Sequence, residues 1–147
     1  MINIRFSGNY IRLSIMMFLE FFVMGSTGPV ISLYLKDQLC FTGSQTGYII
    51  AASAVSSLFS PIIGALVADR IISSERLLAL VHFLGAAAIY LLSTQTEFYP
   101  IFFLYLVYWL LIGPSVALTT AITFHHLGKS NNFGTIRLWG TIGWIAA

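Results

Sequence analysis

The chain has 147 residues, of which 58% are hydrophobic and 8% charged, and its mean hydropathy is +0.89. This composition excludes a soluble globular domain, which could neither bury nor expose so much apolar surface, and it indicates an integral membrane protein. The net charge of +2 does not indicate nucleic-acid binding, because the few basic residues stand between hydrophobic segments. A single cysteine excludes an internal disulfide.

Five apolar segments follow one another, at about 13–35, 46–68, 77–93, 98–124 and 136–147. The first four are predicted to span a membrane, which takes roughly 20 residues of helix. The fifth would form only about 18 Å of helix against a hydrocarbon core of about 30 Å. We therefore expect an all-α integral membrane fold with four complete helices and the truncated start of a fifth, and we interpret the chain as a fragment of a longer protein.

Basic residues are concentrated on one side of the predicted spans. Lys36 is the one basic residue on the other side, whereas six precede the first span or follow the second and fourth: Arg5, Arg12, Arg70, Arg76, Lys129 and Arg137. The positive-inside rule then predicts a cytoplasmic N-terminus in a multi-pass protein of the cell inner (plasma) membrane.

The fifth segment is predicted to carry a solute-binding face. At about 100° per residue, Arg137, Thr141 and Trp144 fall within roughly 60° of one another on a helix. A guanidinium, a hydroxyl and an indole on one face can hold a polar, ring-bearing solute. Because an arginine on an isolated span is costly in hydrocarbon, this face predicts a bundle of helices around a polar cavity.

A second face of the same segment lacks bulky side chains. Gly140, Gly143 and Ala147 form this stripe about a quarter-turn from the first face. Small residues let the backbone of another helix approach closely in lipid, so we expect a packing surface here.

The first segment carries Glu20 about 12 Å from its cytoplasmic end. An ionisable side chain at such depth is a functional hypothesis by default, and here it is a candidate proton carrier. The alternative is a structural carboxylate that forms a hydrogen bond with a neighbouring helix, and the sequence leaves both interpretations open.

Three features of the middle segments have structural interpretations. The small residues Ser53, Ser57, Ser60 and Gly64 follow one face of the second segment and predict a packing surface. His82 in the third segment is typical of a satisfied packing residue. In the fourth segment, Gly113 and Pro114 predict a kink, which neighbouring helices can accommodate in a membrane.

Enzyme motifs are not found in the sequence. It has no phosphate-binding Walker loop, dinucleotide glycine pattern, metalloprotease helix or convincing catalytic triad. We therefore predict that the chain is not an enzyme and that it needs no metal or organic cofactor.

The loop between the second and third segments contains Gly64-Ala65-Leu66-Val67-Ala68-Asp69-Arg70 and then Glu75-Arg76. It resembles the signature of the major facilitator superfamily. The resemblance implies that Asp69, Arg70 and Arg76 form a charge network that holds the cytoplasmic side shut and breaks when the transporter reorients.

Further stretches narrow the resemblance to one branch of that superfamily. They are 17–22, Gly25-Ser26, Val81-His82, Pro114-Ser115 and 136–143, and together they resemble the nucleoside:proton symporters over nearly the whole chain.

This resemblance implies an alternating-access transporter of twelve helices that takes up nucleosides or related small polar solutes with protons. It also implies that Arg137, Thr141 and Trp144 contribute to the nucleoside site. Glutamine is usual in this family at the position of Glu20. The expected partners are the solute, the lipid bilayer and the remaining C-terminal helices.

Three alternatives remain open from the sequence. A sugar or aromatic-acid symporter of the same superfamily would also suit an arginine-plus-aromatic face. A four-helix exporter that works as a dimer could couple through one glutamate such as Glu20. A non-transporting membrane subunit, or a decayed fragment, would bind partner helices through the serine and glycine stripes.

Overall fold

The computed structural model describes residues 8–70, 72–127 and 132–147, without the side chains at 61 and 63–70. These residues form six α-helices: α1 (Gly8–Leu33), α2 (Gly43–Arg70), α3 (Ser74–Ser93), α4 (Phe98–Ile112), α5 (Ser115–Leu127) and α6 (Phe133–Ala146). A π-helical turn, Tyr34–Gln38, continues α1. Within the described residues, three helical segments are long and apolar enough to cross a membrane: Gly8–Gln38, Ser74–Ser93 and Phe98–Leu127.

The chain divides into two compact units. One unit contains Met1–Val30 and Thr119–Ala147, and the other contains Ile31–Leu118. The first unit therefore holds most of α1, most of α5 and all of α6. The second unit holds α2, α3 and α4.

In the second unit, α4 packs against both α2 and α3. Its buried residues recur at helical spacing: Ile101, Tyr105, Tyr108 and Ile112. On α3, a Cβ added to Gly85 would lie 2.8 Å from Cδ1 of Ile112, so the missing side chain is what lets α3 approach α4.

The contact of α2 with α4 corrects the predicted serine surface. Ser56 is buried, and its Oγ donates hydrogen bonds to the carbonyl oxygens of Ala52 at 3.0 Å and of Leu106 on α4 at 3.2 Å. Ser53 is half-buried and Ser57 exposed, and their hydroxyls donate to carbonyls of α2 itself. The prediction is confirmed for Ser60, which is buried and whose side chain a Cβ added to Gly113 would meet. Ser53 and Ser57 lie beside the face of α2, including Ser56 and Ser60, that packs on α4, so the prediction is wrong for contact of these two residues with α4.

Gly113 and Pro114 interrupt the helix between α4 and α5, at the position of the predicted kink. The N–H of Gly113 donates to the carbonyl of Trp109 at 2.8 Å and closes α4. Pro114 has no N–H to donate to the preceding turn, so the helical ladder stops there. It resumes when Leu118 N–H donates to the carbonyl of Pro114 at 3.0 Å.

The connection from the π-helical turn to α2 is short and contains an exposed cysteine. Cys40 has a positive φ of 54°, which turns the chain out of the π-helical segment. A capping box then starts α2. The N–H of Thr42 donates to Oε1 of Gln45 at 2.9 Å, and the N–H of Gln45 donates to Oγ1 of Thr42 at 3.3 Å.

Candidate functional site

The first unit is built on close packing between α1 and α6. A Cβ added to Gly143 would collide with the carbonyl oxygen of Phe18 on α1. A Cβ added to Gly25 on α1 would lie 2.9 Å from Cβ of Ala147. Gly140 likewise faces an aromatic ring of α1. The predicted packing surface of Gly140, Gly143 and Ala147 is therefore confirmed, and its partner is α1.

The ring that faces Gly140 belongs to Phe21, and the guanidinium of Arg137 contacts the same ring. The Cζ of Arg137 lies over this ring, 3.9 Å from its centroid. A Cβ added to Gly140 would lie 2.7 Å from Cδ2 of Phe21 and 2.8 Å from Nη1 of Arg137. The ring and the guanidinium thus share the space above a residue without a side chain. Such contacts between a cation and an aromatic face are attractive.

The three residues of the predicted solute face have different surroundings. Arg137 is half-buried, Thr141 is exposed, and Trp144 is 45% exposed. Among the described contacts, Arg137 is joined to Phe21 of α1, and none joins Arg137, Thr141 and Trp144 to one another. The hydroxyl of Thr141 and the indole of Trp144 are therefore not covered by the described residues, while the guanidinium of Arg137 contacts Phe21 on one side.

Glu20, next to Phe21 in α1, is buried and only 3% exposed. The hydroxyl of Thr119 on α5 donates a hydrogen bond to its Oε2 at 3.2 Å. One turn further along α5, Oγ1 of Thr123 donates to the carbonyl of Thr119 at 2.7 Å, and both threonines are buried. The carboxylate therefore has a polar partner on a neighbouring helix, an arrangement that suits both interpretations of Glu20.

The predicted cytoplasmic charge network falls partly outside the described residues. The side chains of Asp69 and Arg70, at the end of α2, lie among those that the structure does not describe. Arg76 is exposed near the start of α3, beside the exposed Glu75. The network stays a prediction.

His82 has the surroundings of a packing residue. It is half-buried in α3, and its Nδ1 lies 3.0 Å from the carbonyl oxygen of Leu78 one turn earlier. A hydrogen bond to its own helix satisfies this ring nitrogen and agrees with the structural interpretation.

Sequence analysis missed two residues of this region, Phe21 and Thr119. The sequence contains a pattern that could have indicated Phe21. Phe18, Phe21 and Gly25 lie at helical spacing on one face of α1, and such a face can pack against the glycine stripe of α6. Thr119 had no such signal, since it lies 99 residues from the glutamate that it contacts.

The comparisons with known proteins decide the family. The family model described as nucleoside H⁺ symporter matches residues 8–147. The chain belongs to the nucleoside H⁺ symporter family. It is 36% identical to the "Putative nucleoside transporter YegT" of Escherichia coli strain K12, over 92% of this chain and 32% of that protein. It is 28% identical to the "Xanthosine permease" of the same strain, over 92% of this chain and 34% of that protein.

A solved structure of the family confirms the fold class. The chain is similar to the crystal structure of the nucleoside transporter NupG, with a TM-score of 0.88 and 27% identity over 95% of this chain and 36% of that one. The all-helical membrane fold of the major facilitator type is thereby confirmed, and the chain is a multi-pass membrane protein. The chain spans about a third of the length of the curated relatives it matches.

Proposed function

We propose that this chain forms the N-terminal part of a transporter that takes up nucleosides, or related small polar solutes, together with protons. The observation that carries the proposal is the match to the nucleoside H⁺ symporter family across residues 8–147. The relatives named above support nucleosides over sugars or aromatic acids as the solute class. Alternating access around a central site is the mechanism of this architecture.

The proposed solute site is the face of α6 that carries Arg137, Thr141 and Trp144. A guanidinium presents planar N–H donors to a base carbonyl or a sugar hydroxyl, and an indole offers a stacking surface to the base. The exposure of Thr141 and Trp144 supports this role, because the described residues do not bury either side chain.

The proposed proton carrier is Glu20. It is a buried carboxyl group in a membrane-spanning helix, and the Thr119 hydroxyl is a neighbour that can donate to it. Such intramembrane carboxyl groups are commonly parts of proton pathways. No organic cofactor or metal enters this proposal, since the proton gradient supplies the driving force.

The remaining parts of the proposal concern the membrane and the rest of the transporter. Further helices would supply the other walls of the solute cavity, in keeping with the greater length of the relatives. Basic residues near the start of α1 (Arg12), at the end of α2 (Arg70) and near the start of α3 (Arg76) support a cytoplasmic N-terminus in an inner membrane. Asp69, Arg70 and Arg76 would close the cytoplasmic side of the cavity in one state.

The proposal is tested by transport with the full-length protein in proteoliposomes. With an imposed gradient that is alkaline inside, labelled uridine or adenosine should accumulate, and a protonophore should abolish the accumulation. Maltose and tyrosine serve as competing solute classes. Accumulation of maltose or tyrosine without nucleoside uptake would show that the proposed substrate class is wrong. Accumulation of uridine above its external concentration after the gradient collapses would contradict proton coupling.

A further inference from the structure

We propose that Phe21 is a positioning residue that holds the guanidinium of Arg137 in place for the solute. This inference rests on the proposed function, because it assumes that Arg137 binds the solute. It assigns a role to a residue of α1 that none of the site predictions included.

The geometry around Gly140 carries the inference. The Cζ of Arg137 lies 3.9 Å from the centroid of the Phe21 ring. Both side chains are half-buried, and both lean into the space above Gly140, where a single added carbon would meet each of them at less than 3 Å. The arginine is thus confined between a ring on α1 and a backbone without a side chain on its own helix.

Confinement of this kind changes how an arginine binds a solute. A free arginine side chain has considerable rotamer freedom, part of which is lost whenever it binds. If the ring already holds the guanidinium, that loss precedes solute binding and affinity rises. The ring occupies a face of the guanidinium, whereas the N–H donors lie along its edges. These donors are left for a base carbonyl or a sugar hydroxyl.

The contact between Phe21 and Arg137 follows from the close approach of α1 to α6. The glycine stripe lets α6 approach α1 at Gly143 as well as at Gly140, and this approach brings the Phe21 ring to Arg137. The neighbouring ring of Phe22 is 37% exposed and stacks on Phe18, with the ring centroids 5.9 Å apart. Phe22 is therefore a matched control that has an aromatic contact but none with Arg137 among the described residues.

The test is equilibrium binding of uridine to the purified full-length transporter. Phe21→Leu removes the ring and keeps apolar volume, and we expect uridine affinity to fall about fivefold, because part of the rotamer freedom of Arg137 would then be lost only on solute binding. Phe21→Tyr keeps a ring face and should restore near wild-type affinity. Phe22→Leu should leave the affinity unchanged.

A double-mutant cycle separates positioning from general packing. In an Arg137→Gln background, Phe21→Leu should have little further effect on uridine affinity, because the contact is already lost. An equal loss in both backgrounds would overturn the inference, as would wild-type affinity for Phe21→Leu.

A substitution on α6 tests the same contact between Phe21 and Arg137. Gly140→Ala should displace the ring or the guanidinium and weaken uridine binding too, and it replaces Phe21→Leu in the test if that variant fails to fold. Unchanged affinity for folded Gly140→Ala would also count against the inference. If the wild-type protein itself binds no nucleoside, the proposed function fails first, which distinguishes the two failures.

Discussion

Thr119 on α5 donates a hydrogen bond of 3.2 Å to the buried carboxyl group of Glu20 on α1. The next residue of α1, Phe21, lies against the guanidinium of Arg137 on α6. Two consecutive residues of α1 therefore contact the two other helices of the first unit. In the proposed transporter, this places the candidate proton carrier next in sequence to the residue that holds the solute-binding arginine.

Glu20→Gln tests proton coupling. The amide keeps the size and hydrogen-bonding capacity of the side chain but cannot release a proton at neutral pH. Glutamine is usual at this position in the family, so proton transfer through Glu20 would be particular to this chain. In that case the variant loses gradient-driven uridine accumulation while it keeps the exchange of uridine across the membrane, which needs no net proton movement. Thr119→Ser, which keeps the hydroxyl, and Thr119→Val, which removes it, show whether the hydrogen bond contributes. Normal accumulation by Glu20→Gln would leave Glu20 as a structural carboxylate.

Gly143→Ala tests the packing of α6 on α1. The added methyl group would collide with the backbone carbonyl of Phe18, which cannot move aside as a side chain can. We expect a loss of about 1–3 kcal/mol in stability, seen as a lower melting temperature of the full-length protein. Gly134→Ala is the control in the same helix, because a Cβ there meets nothing within 4 Å. Equal melting temperatures for both variants would contradict the close contact.

Asp69→Lys tests the predicted cytoplasmic charge network. Reversing the charge should remove the attraction to Arg70 and Arg76 and stall reorientation, so uptake of uridine should be lost while equilibrium binding persists. Glu75→Lys reverses a nearby exposed charge at the start of α3 and should transport normally. Wild-type uptake by Asp69→Lys would exclude the network as part of the transport cycle.

Cys40 offers a test of orientation. It is exposed in the connection between α1 and α2, on the side opposite the predicted cytoplasmic N-terminus. A membrane-impermeant maleimide added to intact spheroplasts should therefore label it, and Cys40→Ser should remove the part of the labelling that belongs to this thiol. If labelling of Cys40 appears only after the membrane is permeabilised, the predicted orientation is reversed.

Local sequence patterns predicted the character of a single helix better than they predicted which distant residues contact each other. The glycine stripe of α6 and the interruption at Gly113 and Pro114 depend on the absence of a side chain and of an N–H, and both properties can be seen in the sequence. The partner of Glu20 could not be predicted, because Thr119 meets it only after tertiary packing.

The serine surface of α2 shows a second limit of sequence patterns. Serines occur at four positions of this helix between 53 and 60, and their spacing allows more than one small-residue face. Which face packs is decided by where α4 lies: Ser60 of the predicted stripe is buried there together with Ser56, which lies outside the stripe and makes the contact to Leu106.

The most direct test of the proposed solute site is the equilibrium dissociation constant of uridine for the purified full-length transporter, with and without Arg137. Arg137→Ala should weaken uridine binding by more than about tenfold, or ~1.4 kcal/mol. Arg12→Ala removes an exposed arginine of α1 and should bind uridine as the wild type does. Equal affinity in all three proteins would contradict a nucleoside site on α6.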